Sequence, residues 1–239
     1  MELMVIHTVH FGDAPLHERL LKVFAFSIQK NSPSTPLKIH RIITEPIPEE
    51  IACHKKRGFS AHDIVNTLKT KYHNEIVQNA KDGELLCLMD LDMAVFGDMF
   101  PAGEGDFDLG YTVRPERARI NSGIMWVRIS PKTKDWYQKW YKTVLSFFDD
   151  LKKFRPLKVQ YGGINQAALG LMLAKPHDLK LKELPGVIWN CTPGSYRKFN
   201  PETKVIHLLN NAQVLHQTRN GPGHKVAKAW LALEKESKS

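Results

Sequence analysis

"LCLMDLDMAVFGD", residues 86–98, decides the fold. It opens on an uninterrupted apolar run, Leu86-Cys87-Leu88-Met89, which is how a strand buried on both faces reads. Asp82 and Gly83 turn the chain into this run, and it ends on two aspartates one residue apart, Asp90 and Asp92. Upstream, MVIHTVHF (4–11) is a β-branched apolar run, followed by LHERLLKVFAFSIQKN (16–31) with Leu16, Leu20, Val23, Phe24 and Ile28 at the spacing of a helix with one buried face. SPSTP breaks the chain before a second strand, LKIHRII, which ends at Thr44 and Glu45 and is closed by Pro46 and Pro48. Residues 60–80 form a polar helix whose apolar positions are Ile64, Leu68, Ile76 and Val77. Three strands separated by helical crossovers predict an α/β fold, a largely parallel sheet covered on both faces, in which ligands bind at the carboxyl ends of the strands. Asp90 and Asp92 stand at such an end.

Beyond the aspartates, FDLGYTVR (107–114) and GIMWVRI (123–129) read as short strands flanking a loop around Asn121–Gly123. Residues 133–150 read as one helix in which Trp136, Trp140 and Val144 recur every four positions, a stripe expected to lie in the core. INQAALGLMLA (164–174) is a compact helix after the flexible YGG, KVIHLL (204–209) is a strand, and AKAWLALEKESKS closes the chain as a charged helix. With no repeat or low-complexity block, residues 1–239 read as a single domain.

Composition narrows the class. The apolar fraction of 42% and charged fraction of 25% exclude disordered and collagen-like chains. No apolar run reaches the length of a membrane span and no secretory leader is evident, so the expected compartment is cytoplasmic. Cys53, Cys87 and Cys191 are far apart and lack a CxxC pair, which predicts buried free thiols. The net charge of +9 comes from 34 basic against 25 acidic side chains, concentrated in 132–158 and from Arg197 to Lys238. It favours anionic partners without naming one.

Two carboxylates at the mouth of a parallel sheet can bind a divalent cation through hard oxygen ligands, while phosphate oxygens and water take its other positions. The plainer alternative is a turn in which one aspartate caps and the other is solvated. Alone, the Asp-x-Asp pattern is weak.

Taken with its neighbours, the run resembles the DxD region of GT-A-fold glycosyltransferases that use nucleotide-sugar donors, especially the glycogenin and galactosyltransferase-like family commonly numbered eight. MVIHTVHF, NSGIMWVR (121–128), GGINQAAL (162–169), LPGVIWN (184–190) and KVIHLL recur in that family's order, so the resemblance spans nearly the whole chain. It implies a GT-A fold, Rossmann-like with a mixed, mostly parallel sheet, and metal-dependent transfer of a sugar from a nucleoside diphosphate, UDP by the same resemblance, to an acceptor hydroxyl on a glycan, protein or small molecule. Asp90, Asp92 and His207 would be the metal ligands, with Asp90 touching the metal or the ribose. An imidazole beside two carboxylates suits Mn²⁺ or Mg²⁺ rather than Ca²⁺, and Mn²⁺ best, because nitrogen donors favour transition metals.

The resemblance also implies donor contacts at Thr8 and Val9, at Asn121, Ser122 and Gly123, and at Lys71, with Lys69 an equal candidate on spacing. Lys225 or Lys228 would meet the diphosphate. Asn165 and Gln166 fall at the catalytic position, where the family commonly has Asp-Gln. Asn165 therefore departs from the pattern, since an amide cannot serve as a base. Two other readings compete: a metal-dependent nucleotidyltransferase, for which HTVHFGDAP lacks the Gly-rich phosphate loop, and a non-enzymatic binder of nucleic acid or another anionic polymer. Nucleic acid is not an expected partner, because the clustered aromatics follow a buried helical period.

Overall fold

The computed structural model describes residues 3–12, 14–42, 58–114, 119–209 and 223–238. Its strands are β1 (Met4–Phe11), β2 (Leu37–Ile42), β3 (Leu85–Met89), β4 (Met93–Val95), β5 (Leu109–Val113), β6 (Ile120–Arg128), β7 (Leu181–Pro185) and β8 (Val205–His207). The longer helices are α1 (Pro15–Asn31), α2 (Ala61–Asn79), α3 (Pro131–Ser146), α4 (Leu151–Tyr161), α5 (Ile164–Leu173) and α6 (His224–Glu236). A six-stranded sheet runs in the order β2-β1-β3-β6-β5-β7, and β4 pairs with β8 in a separate antiparallel ribbon. Parallel pairs join β1 to β2, β1 to β3 and β5 to β7, and β6 lies antiparallel to both its neighbours. The sheet is therefore mixed and mostly parallel.

Every residue of β3 is buried, as its uninterrupted apolar run demands. Leu86 and Leu88 pack with Met125, Val127, Trp136, Tyr137 and Trp140 on one side of the sheet. Leu85, Cys87 and Met89 pack on the other side with Met4, Ile6, Leu21, Phe24 and Trp126. The α3 aromatic stripe is core, with Trp140 and Val144 fully buried. Helix α2 begins at a capping box in which Ser60 and Asp63 satisfy each other's backbone N–H groups. Cys87 and Cys191 are buried free thiols, and Cys53 lies outside the described residues.

Two local expectations are corrected. Asn121–Gly123 is not a loop but the start of β6, where Asn121 pairs with Thr112 after a register shift next to Tyr111. The helix over 133–150 stops at Ser146, and a separate helix, α4, starts at Leu151 under the Asp150 side chain, which accepts from the Lys153 N–H. In addition, LKELP forms the edge strand β7, whose adjacent Lys182 and Glu183 break the alternation that would mark a strand in the sequence.

Beneath α2 the sheet buries an imidazole cluster. His7 Nδ1 lies 2.9 Å from His40 Nε2, and His73 is almost wholly buried nearby. Burial, then the charges of His40 and Lys38, pull the His7 pKa down to about 4. Burial likewise holds His73 well below its ordinary value and lowers His40. The groove over this cluster also carries Lys38, Glu75, Lys81 and Glu84. Because the unfolded chain protonates these rings first, stability should be full above about pH 6.5 and fall as pH drops toward 4. His7 alone is expected to contribute roughly 3 kcal/mol of that loss. Urea unfolding at steps from pH 8 to 5 checks this, and a flat profile would contradict it.

Candidate active site

The carboxyl ends of β1 and β3 and the amino end of the antiparallel β6 open into a cleft of about 570 Å³. Val9 and Phe11 at the end of β1, Lys69 on α2, Asp90 and Asp92 after β3, Asn121–Gly123 on β6, Gln166 on α5, and His207 on β8 all line it.

Backbone pairing puts the aspartates there. The Asp90 N–H donates to Gly123 O at 2.8 Å, which continues the β3–β6 ladder one step past the strand. A turn at Leu91 and Asp92 then reverses the chain into β4, and β4 pairs with β8 so that Met93 faces His207. The Leu208 N–H closes on Asp92 O at 2.9 Å. Residues more than a hundred positions apart in sequence thus meet at one point: His207 Nε2 is 3.2 Å from Asp92 Oδ1 and 3.7 Å from Asp90 Oδ2.

The proton on His207 can be assigned from a backbone group. The Gly123 N–H can only donate, and at 2.8 Å it makes Asn121 Oδ1 an acceptor. Asn190 must then present its NH₂ to that oxygen, at 2.9 Å, and to Thr112 Oγ1, at 2.8 Å. Its own Oδ1 is left to accept from His207 Nδ1–H at 2.9 Å. The neutral ring therefore directs the bare Nε2 lone pair at two carboxylates. Lone pairs converging in this way need a positive charge between them, either a proton on Nε2 or a divalent cation. Asp90, Asp92 and His207 offer ligand atoms within 4.8 Å of one another, so the donor set fits a divalent metal. Tyr196 steadies the strand from behind by donating to His207 O at 2.9 Å.

Gly123 is required by close approach. A Cβ there would lie 2.7 Å from Asn121 Oδ1 and closer still to His207 Cε1. Gly123→Ala should push the imidazole off line and weaken Mn²⁺ binding at least ~10-fold, with a modest stability loss of about 1–3 kcal/mol from overpacking. Isothermal titration with Mn²⁺ checks it, and unchanged affinity would show that His207 is not a ligand.

Other positions divide. Of the two lysines on α2, Lys69 enters the cleft and pairs with Asp90, whereas Lys71 pairs with Glu75 and lies over the Tyr72 ring, outside it. At the end of β1, Val9 lines the cleft but Thr8 does not: it is fully buried and shares the strand face of Met4 and Ile6, which pack on α1. Lys225 and Lys228 are exposed on α6 and are not part of the cleft wall.

Asn165 is used up internally. Its amide donates to Ser122 Oγ at 2.9 Å, its Oδ1 accepts from Gln166 N–H, and its carbonyl accepts from Trp140 Nε1. Gln166 bridges two elements, accepting from the Ser122 N–H at 3.3 Å and donating to Tyr161 O. The sequence reading gave Asn190 no role, although it lies in the quoted LPGVIWN motif, and left out His17, His62 and Arg114, which also line the cleft. A lone His or Arg carries no local signal of where it points.

No protein-family model matches the sequence, and no curated protein matches it significantly. Solved structures do share its fold. The galactosyltransferase LgtC, crystallised with donor and acceptor sugar analogues, superposes with a TM-score of 0.62 at 15% identity over 98% of this chain and 96% of that one. A glycosyltransferase involved in glycosylation of the major capsid of PBCV-1 gives 0.56 at 12% identity, over 99% and 98% of the two chains. The glycosyltransferase GlyE of Streptococcus pneumoniae TIGR4 gives 0.59 at 13% identity, over 99% of this chain and 63% of that one. The chain has the GT-A fold.

Proposed function

We propose that this chain is a metal-dependent glycosyltransferase that moves a sugar from a nucleoside diphosphate, UDP being the favoured carrier, to an acceptor hydroxyl. One observation carries the reading: the His207 lone pair converges with Asp90 and Asp92 at the mouth of a GT-A sheet. Those three residues would hold Mn²⁺ or Mg²⁺. When bound, the cation supplies charge neutralisation for the departing diphosphate.

The protein's own part is orientation. Asn190 aims His207, and the Asn121–Gly123 segment of β6 brings backbone close to the donor. Val9 and Phe11 form an apolar wall at the end of β1 suited to the flat face of a base. Among the described residues, Asp90 and Asp92 are the only carboxylates lining the cleft, so no third carboxylate stands ready as nucleophile or base. Asn165 and Gln166 accordingly act by fixing Ser122 and the Tyr161 turn where the sugar would rest, not by exchanging protons.

Among the described residues, the clustered aromatics give the polymer-binding reading no surface. Trp136, Tyr137 and Trp140 are buried, and stacking platforms for single strands need exposed rings. Among the described residues no helix is long and apolar enough to cross a membrane.

The test is a thermal-shift screen. UDP with Mn²⁺ at about 100 times Kd should add roughly 2.7 kcal/mol, a rise of about 5–10 °C for a chain of this size. A shift with another nucleoside diphosphate would change the base and keep the mechanism. No shift with any of them would overturn the proposal.

A further inference from the structure

Two cations have a claim on one carboxylate in this cleft. Lys69 Nζ donates to both oxygens of Asp90, at 2.8 Å to Oδ1 and 3.0 Å to Oδ2. The pair is largely shielded, its side chains 13% and 16% exposed. Asp90 Oδ2 is also the oxygen that faces His207 Nε2. An ammonium thus already engages the oxygen a divalent metal would use. The other acids of α2 are taken, Asp63 by Lys158 and Glu75 by Lys71, which leaves Lys69 committed to the metal carboxylate.

We propose that Lys69 is a resident counter-cation that keeps free divalent metal out of the cleft and makes metal and nucleoside diphosphate bind as one unit. This rests on the metal and diphosphate reading above and concerns how that site is regulated. Before any metal enters, the Lys69 ammonium already offsets one of the two carboxylate charges. A divalent cation entering alone exceeds the carboxylate charge that remains and sits beside the Lys69 ammonium in a poorly solvated place, where like charges repel strongly. A diphosphate arriving with the metal restores the balance. The two ligands then strengthen each other, and by linkage the effect is mutual. Lys69 is a positioning residue in this role, acting through Asp90.

Removing its charge should move two quantities in opposite directions. Mn²⁺ alone, titrated calorimetrically and by the electron-paramagnetic-resonance signal of free Mn²⁺, should bind Lys69→Met at least ~10-fold more tightly than wild type. The factor by which UDP tightens Mn²⁺ binding should fall at least ~10-fold in the same variant. Lys69→Arg should restore wild-type behaviour, and Lys69→Gln, neutral but still a hydrogen-bond donor, should behave like Lys69→Met and serves if the methionine variant does not fold. A merely structural lysine would weaken metal binding when lost, the opposite sign. The proposal is overturned if the neutral variants bind Mn²⁺ alone no more tightly than wild type, or if UDP coupling is unchanged. If folded wild-type and variant proteins all fail to bind Mn²⁺ with or without UDP, the metal site itself is refuted, and this proposal with it.

Discussion

Asp92→Asn should lower Mn²⁺-dependent hydrolysis of a UDP-sugar by two orders of magnitude or more, on the order of what loss of one preorganised electrostatic group costs. The substitution removes a charged ligand from a site of three, so metal affinity and stabilisation of the departing diphosphate fall together. Folding should survive. The contact that fixes this turn is the Asp92 carbonyl with the Leu208 N–H, which a side-chain change leaves in place. The introduced amide can donate to the Nε2 lone pair of His207, where the native Asp92 Oδ1 stands 3.2 Å away, and it relieves repulsion with Asp90. The metal-free variant should therefore melt at or slightly above the wild-type temperature. If Asp92 were only a cap, hydrolysis would keep its metal dependence. Full activity at ordinary Mn²⁺ concentration would end the metal-site reading.

Asn190→Ala should be nearly as damaging by a different route. Asn190 is fully buried, and its side chain alone links Thr112, Asn121 and His207. Its loss leaves buried polar groups unpaired at about 1–3 kcal/mol apiece and releases the ring to turn. A several-kcal/mol drop in unfolding free energy is expected, with Mn²⁺ affinity reduced about 10–100-fold in the protein that remains folded. Urea unfolding and Mn²⁺ titration of one preparation read both effects. Lost stability with intact affinity would mean that His207 is held by its strand and not by Asn190.

These two residues were unequally visible beforehand. Asp92 closes an apolar run that can only be a buried strand, so its place at the sheet's mouth follows from local pattern. Asn190 follows a Trp in a short helical turn, and nothing in LPGVIWN says that its amide meets β5, β6 and β8. Asn121–Gly123 misled for a related reason. Asn, Ser and Gly are turn formers by local preference, yet here they begin a strand, because the buried Asn190 amide satisfies the Asn121 side chain and the space beside His207 admits only Gly. Asn165 stands at the family's catalytic position, and its side-chain amide is engaged by Ser122 Oγ and by the Gln166 N–H, contacts that the sequence does not announce.

Periodicity by itself determined which segments are strands and which are helices through β3, the parallel order they imply, and the aspartate pair at the strand end, since side-chain alternation is set within a few residues. Tertiary structure alone decided which side chains share the cleft. Lys69 and Lys71 are two residues apart on α2, about 200° around the helix, so they point to opposite sides. Lys71 meets Glu75 one turn along the same helix, but only the docking of α2 over the sheet turns Lys69 toward Asp90. His207 likewise becomes a partner of the aspartates only when β8 pairs with β4, a contact between segments whose separation in sequence carries no local signal.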